Sequence, residues 1–201
     1  MKTYLALGDS YTIGEGVSRE QSFPFQLAEL LRKARVQIAE PEIIAKTGWT
    51  TRELIGAIEH ANSKTNYDLV TLLIGVNNQY RGLSLEEYKM EFDNLLKTAI
   101  GFAGDNPGNV YVVSIPDWSA TPFSADRDRY TIRKEIDDFN SANHLISESY
   151  QVTYVDITIG SRDALHNPKL VTGDKLHPSF QEYARWASKL SKKILNKPDW
   201  Q

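Results

Sequence analysis

The sequence predicts an α/β protein in which a five-stranded, mostly parallel sheet lies between two layers of helices, a three-layer α/β/α sandwich. Three observations carry that prediction. Five short apolar runs rich in β-formers recur along the chain without clean polar alternation, as strands covered on both faces do. Between them lie segments whose apolar residues follow helical spacing. The two kinds of segment alternate in the order βαβαβαβαβα, which short crossovers turn into a parallel sheet.

The first run, Tyr4 to Leu7, leads straight into Gly8-Asp9-Ser10. A helix follows whose sheet-facing stripe is Phe23, Leu27, Leu30, Leu31 and Ala34. The second run is Ile43 to Ala45. After it, Thr50 and Glu53 fit a capping box, in which each side chain satisfies the other's free backbone N–H. Leu69 to Ile74 is the third run, followed by a second such pair, Ser84 and Glu87, and the stripe Tyr88, Phe92, Leu95, Leu96 and Ala99. Gly101 to Gly108 holds three glycines and a proline and reads as a loop rather than a domain boundary. Val110 to Ile115 is the fourth run. The stripe Ile132, Ile136, Phe139 and Ile146 separates it from the fifth, Val152 to Val155, and a last stripe of Phe180, Tyr183, Ala187, Leu190 and Ile194 closes the chain. The expectation is one domain over residues 1–201.

Composition narrows the function. The 201 residues are 41% hydrophobic and 24% charged, a globular rather than a disordered balance. Lys and Arg number 23 against 26 Asp and Glu, a formal charge of −3 with no basic cluster, so nucleic acid is not an expected partner. With no cysteine, disulfides, thiolate metal sites and cysteine nucleophiles are excluded. No apolar run approaches the ~20 residues of a membrane span. Residues 1–10 read as strand and turn rather than as a cleavable leader, so the expected location is the cytoplasm, or the periplasm or exterior if a removed signal preceded them.

In an open parallel sheet, chemistry belongs to the loops at the carboxyl ends of the strands. Ser10 stands there on a glycine-flanked turn, and two readings fit it: a nucleophile, or the cap of the next helix. A phosphate or flavin cradle built from Gly8, Gly14 and Gly16 fits poorly, since the spacing matches neither phosphate-loop pattern and no lysine occupies the loop. A serine nucleophile needs a base. Of the four histidines, His60 and His144 fall in helical stretches and His166 in a loop, whereas His177 follows Asp174 by three residues just before the last helix. That spacing lets a carboxylate hold Nδ1–H while Nε2 faces the serine; it equally fits an aspartate that only turns the chain. Asn77 and Asn78 follow the third strand, where an amide can donate to an oxyanion or merely shape a turn. Gly48, after the second strand, can bring its N–H close to a ligand or simply precede the capped helix.

With these four blocks in order, the sequence resembles the GDSL or SGNH hydrolases, at Ser10, Gly48, Asn77 and His177. The resemblance spans residues 4 to about 195 and implies a flavodoxin-like fold. It implies Ser10 as nucleophile, His177 as base and then acid, Asp174 as its orienting carboxylate, and an oxyanion hole of Ser10, Gly48 and Asn77. Two positions depart from the family pattern: Tyr11 replaces the leucine after the serine, and Asn78 stands where aspartate is usual. The implied reaction is hydrolysis of an acyl ester by a covalent intermediate, with no cofactor and no metal. Asp9, Asp117 and Asp156 near strand ends match no ligand pattern. The expected partner is a small-molecule ester, from lysophospholipids to sugar acetates, with Tyr11, Asn78, Tyr80, Trp118 and Phe123 as candidate pocket walls. The alternative is a non-hydrolytic module that holds a sugar or flavin in the same cleft.

Overall fold

The structure is a computed structural model and describes residues 1–61 and 65–200. Strands β1 (Tyr4–Gly8), β2 (Glu42–Ala45), β3 (Leu69–Leu73), β4 (Val110–Val113) and β5 (Thr153–Val155) form one all-parallel sheet in the order β2-β1-β3-β4-β5. Its helices are α1 (Ser10–Ile13), α2 (Phe23–Lys33), α3 (Thr51–His60), α4 (Val76–Tyr80), α5 (Leu85–Phe102), α6 (Arg129–Ser149), α7 (Thr158–Ser161) and α8 (Phe180–Leu195). This is the α/β sandwich that the sequence predicts.

Every residue of β1, β3 and β4 is buried, which is why these strands read as unbroken apolar runs. Helix α2 packs on α8, while α3 packs on α5 and α5 on α6, so two separate helix layers cover the sheet. The stripes are correct except at their ends. Ala34 is an exposed cap of α2, and Phe180, the first residue of α8, is half-exposed. Trp186, outside the predicted stripe, is instead buried against Tyr11, Phe23 and Tyr183. The Glu182 carboxylate 2.8 Å away accepts its indole N–H, and a satisfied N–H is what permits an indole to be buried.

Strands end where the chain finds other partners. β4 stops before Ile115 because the Asn140 side chain takes both polar groups of that residue, accepting its N–H at 2.8 Å and donating to its carbonyl at 2.9 Å. β3 stops before Gly75, which caps α4 at φ +129°. A Cβ there would lie 2.6 Å from the Tyr88 ring and 2.8 Å from Ile115, so both backbone and space demand glycine. Ser84 accepts from Glu87 N–H at α5, but Glu87 pairs with Arg52 instead of returning the bond, so of the two boxes the sequence predicts the Thr50–Glu53 one is complete and the Ser84–Glu87 one is not.

The chain steps from β1 outward to β2 and then crosses back to β3 on the other side. The crevice of such a sheet opens at the carboxyl ends of the strands where the winding reverses, here β1 and β3.

Candidate active site

The turn after β1 separates the two readings of Ser10. Asp9, not Ser10, caps α1: its Oδ1 accepts the Tyr11 N–H at 3.0 Å. Ser10 is the first helical residue, 5% exposed at the mouth of a recess, and its own N–H is one of the donors a helix start leaves unused. Asp9 is fully buried and its Oδ2 has no hydrogen-bond partner among the described residues. Burial therefore pushes its carboxyl up to about 7, against the lowering effect of the Tyr11 N–H. The folded protein then binds more protons than the unfolded chain between the ordinary carboxylate range, near 4, and about 7. Stability should consequently fall as the pH rises through that window, by as much as about 4 kcal/mol. Asp9→Asn keeps an acceptor for Tyr11 and removes the titration. Its urea midpoint should gain on the wild type steadily from pH 4 to pH 8, and parallel midpoints would show that Asp9 does not titrate there.

The loop before α8 supplies the other half. Asp174 Oδ1 accepts the N–H groups of Leu176 and His177 at 2.8 and 2.9 Å and the Thr172 hydroxyl at 2.8 Å. Its Oδ2 lies 2.6 Å from His177 Nδ1, and His177 Nε2 lies 3.0 Å from Ser10 Oγ. Asp174 thus both turns the chain and faces the imidazole, so the two readings of the Asp-x-x-His spacing hold together. Burial opposes its charge, but the His177 contact, the two N–H groups and Thr172 prevail and hold the carboxyl down near 2. A carboxylate on Nδ1 sets the tautomer that leaves Nε2 free to accept from Ser10. Tyr11 packs its ring 5.6 Å from the imidazole, which gives the departure from leucine a local role.

Three residue pairs join the segment after β2 to the one after β3. Arg81 donates to the Gly48 carbonyl, the Asn77 amide donates to the Trp49 carbonyl at 2.9 Å, and Asn78 pairs with Thr51, accepting its N–H at 3.1 Å and donating to its hydroxyl at 2.7 Å. Gly48 sits at φ +83°, the left-handed conformation that side chains disfavour. Both asparagines belong to a helix, not a turn. Asn77 has two amide N–H groups, one held by Trp49 and the other available beside the Ser10 recess that Asn77 and Gly48 line.

Asn78 corrects an expectation: it is 1% exposed, spent on Thr51, and forms no part of the pocket wall. The other four candidates, Tyr11, Tyr80, Trp118 and Phe123, do line the recess, with a volume of about 190 Å³. Trp118 is aimed by Gln79, whose Oε1 accepts the indole N–H at 2.7 Å while its amide donates to Glu135 at 2.7 Å. Gln79 and Arg81 were not singled out for these roles by the sequence, and no local signal marks them, because their partners lie 39 and 33 residues away.

The remaining histidines lie elsewhere: His60 contacts Gly56 O, His144 stacks on Tyr154, and His166 follows a short turn. Asp117 is held by Arg133 and Arg162, and Asp156 by Thr158 and Ser114. Among the described residues no three His, Cys, Asp or Glu side chains group to hold a metal, and no helix is long and apolar enough to cross a membrane.

The sheet is thus doubly wound and parallel, with a serine, a histidine and an aspartate in hydrogen-bonding line at its switch point. The profile of the GDSL-like lipase/acylhydrolase family matches residues 6–185, and the chain belongs to that family. It is similar in structure to TesA, with a TM-score of 0.77 at 14% identity and all of both chains covered. It is similar also to the psychrotrophic esterase EstA from Pseudoalteromonas sp., solved with monoethylphosphonate as inhibitor, with a TM-score of 0.71 at 18% identity over 98% of this chain and 100% of that one. Axe2, an acetylxylan esterase from Geobacillus stearothermophilus, gives 0.70 at 18% identity over 97% and 93%. A comparison with curated protein sequences returned no match.

Proposed function

We propose that the protein hydrolyses small carboxylic esters through an acyl-enzyme on Ser10. The observation that supports this most directly is the unbroken line from Asp174 Oδ2 through His177 to Ser10 Oγ, with gaps of 2.6 and 3.0 Å. In this mechanism Ser10 Oγ attacks the acyl carbon as its proton passes to His177 Nε2, and the carbonyl π-pair moves onto oxygen. The N–H groups of Ser10 and Gly48 and the Asn77 amide receive that oxyanion. Collapse expels the alcohol, which takes the proton from His177. Water then repeats the sequence on the acyl-enzyme, with His177 as base, and frees the acid and Ser10.

A recess of about 190 Å³ walled by Tyr11, Tyr80, Trp118 and Phe123 suits a short acyl chain or an aryl group better than a long lipid. Initial rates on 4-nitrophenyl esters from acetate to dodecanoate test this. Turnover should be highest at the short end; no turnover of any member, with no labelling by a fluorophosphonate, would overturn the proposal.

The oxyanion assignment is tested at Asn77. A donor aimed at charge that appears only in the transition state acts on kcat rather than on KM. Asn77→Ala should lower kcat by about 10²- to 10³-fold with KM little changed. Loss of the Trp49 contact adds a stability cost, so the control is Asn78→Ala, which frees the same two loops at Thr51 and should lower the melting temperature with a far smaller effect on kcat. If folded Asn77→Ala keeps wild-type kcat, the hole consists of the two backbone donors alone.

A further inference from the structure

Arg127 stands at the rim of the same recess. Its guanidinium carbon lies 5.3 Å from the Tyr80 ring centre, 5.8 Å from that of Trp118 and 5.6 Å from that of Phe123. These are the three aromatic rings that wall the pocket beyond Tyr11, and they also pack on one another, at 5.4 to 6.4 Å between centres. Among the described residues the side chain makes one hydrogen bond, from Nη2 to the Tyr80 hydroxyl at 3.3 Å, and no ion pair.

The neighbouring arginines are committed. Arg81 meets Glu53 and Gly48, Arg129 donates to Ser124 and Thr121, and Arg133 and Arg162 neutralise Asp117. The carboxylate nearest in sequence with a defined partner, Asp128, caps α6 by accepting from Tyr130 and Thr131. Arg127 is therefore an exposed cation, held by aromatic rings, with most of its N–H groups unclaimed.

Resting on the esterase reading above, we propose that Arg127 with Tyr80, Trp118 and Phe123 forms a subsite for an anionic group, and that the preferred ester carries a carboxylate on its acyl or its alcohol part. A guanidinium within ~6 Å of ring centres is held by the quadrupoles. It is weakly hydrated, and its planar fork presents paired donors to a carboxylate. A neutral ester makes no use of that fork, whereas an anionic one gains charge-assisted hydrogen bonds in a place already ordered to give them.

Two matched substrate pairs decide between the sources of charge: mono-4-nitrophenyl adipate against 4-nitrophenyl hexanoate for the acyl side, and 4-acetoxybenzoate against 4-methylphenyl acetate for the alcohol side. In the wild type, kcat/KM should favour the anionic member of one pair. Arg127→Ala should reduce the anionic-to-neutral ratio for that pair about tenfold, through KM, and Arg127→Lys should restore part of it. Lys97→Ala, which removes one positive charge on α5, should leave the ratio unchanged. Equal losses on both members would make Arg127 a mere support of the wall, and unchanged ratios for both pairs would overturn the subsite. Should no ester be turned over, titration calorimetry of 4-acetoxybenzoate into the wild type and Arg127→Ala still tests it: weaker binding to the variant supports the subsite, and equal binding or none overturns it.

Discussion

Ser10→Ala is expected to lower kcat by about 10⁴-fold, roughly 5.5 kcal/mol of transition-state stabilisation, and to leave the melting temperature unchanged. The two halves of that expectation have separate causes. Acylation rests on one oxygen, so its removal leaves only what the oxyanion donors and binding provide. The fold does not depend on that oxygen, since its hydrogen bond is to His177, while the cap of α1 belongs to Asp9. Stopped-flow assay with a 4-nitrophenyl ester should show a burst of nitrophenolate equal to enzyme in the wild type if deacylation is slower, and a fluorophosphonate should add its mass to the wild type only. Equal labelling of the Ala variant would place the nucleophile elsewhere.

His177→Ala should cost about as much as Ser10→Ala, and the double variant little more than either alone, because residues that act as one unit are not additive. Asp174→Asn should cost about 10³- to 10⁴-fold in kcat. The amide still accepts part of the turn's N–H groups but no longer draws Nδ1–H, so Nε2 loses its accepting role. Its contribution to folding has a defined sign: a carboxyl held near 2 in the folded protein favours folding above the ordinary range, near 4, and loses that preference as the pH falls through about 2. Alanine at His60, His144 and His166 should leave most activity. A His177→Ala enzyme with near-normal kcat, or a double variant that multiplies the two losses, would refute a shared proton path.

Much of this site was legible in the sequence because its parts sit at points of punctuation. Ser10, Gly48 and Asn77 each follow a strand, and His177 precedes a helix, so the order of elements alone brings them to one edge of the sheet. What was not legible was direction. Asn77 and Asn78 look alike on paper, yet α4 turns adjacent side chains about 100° apart, one beside the recess and the other into Thr51. Arg81 reads as a surface cation because nothing local reveals that it reaches the Gly48 carbonyl. Phe180 shows the same blindness at the start of an amphipathic stripe: periodicity gives the phase of a helix but not where the neighbouring layer begins. Asp9 hides differently, since a cap is a mundane role for an aspartate and only burial reveals that its second oxygen stands alone.

The ties of Gly48, Trp49 and Thr51 after β2 to Arg81, Asn77 and Asn78 after β3 lock two segments of the site to each other. Ser10, Gly48, Asn77 and His177, the residues of the proposed machinery, stand after β1, β2 and β3 and in the turn before α8. Two of the four aromatic walls, Trp118 and Phe123, come from the crossover after β4, whose Phe123 holds the histidine loop by one main-chain bond to Lys175, 3.0 Å long. That crossover is pinned at Asp117 by Arg133 and Arg162 and at Trp118 by Gln79, whereas Phe123 and residues 125–128 are exposed, so the room for exchange lies in its exposed second half.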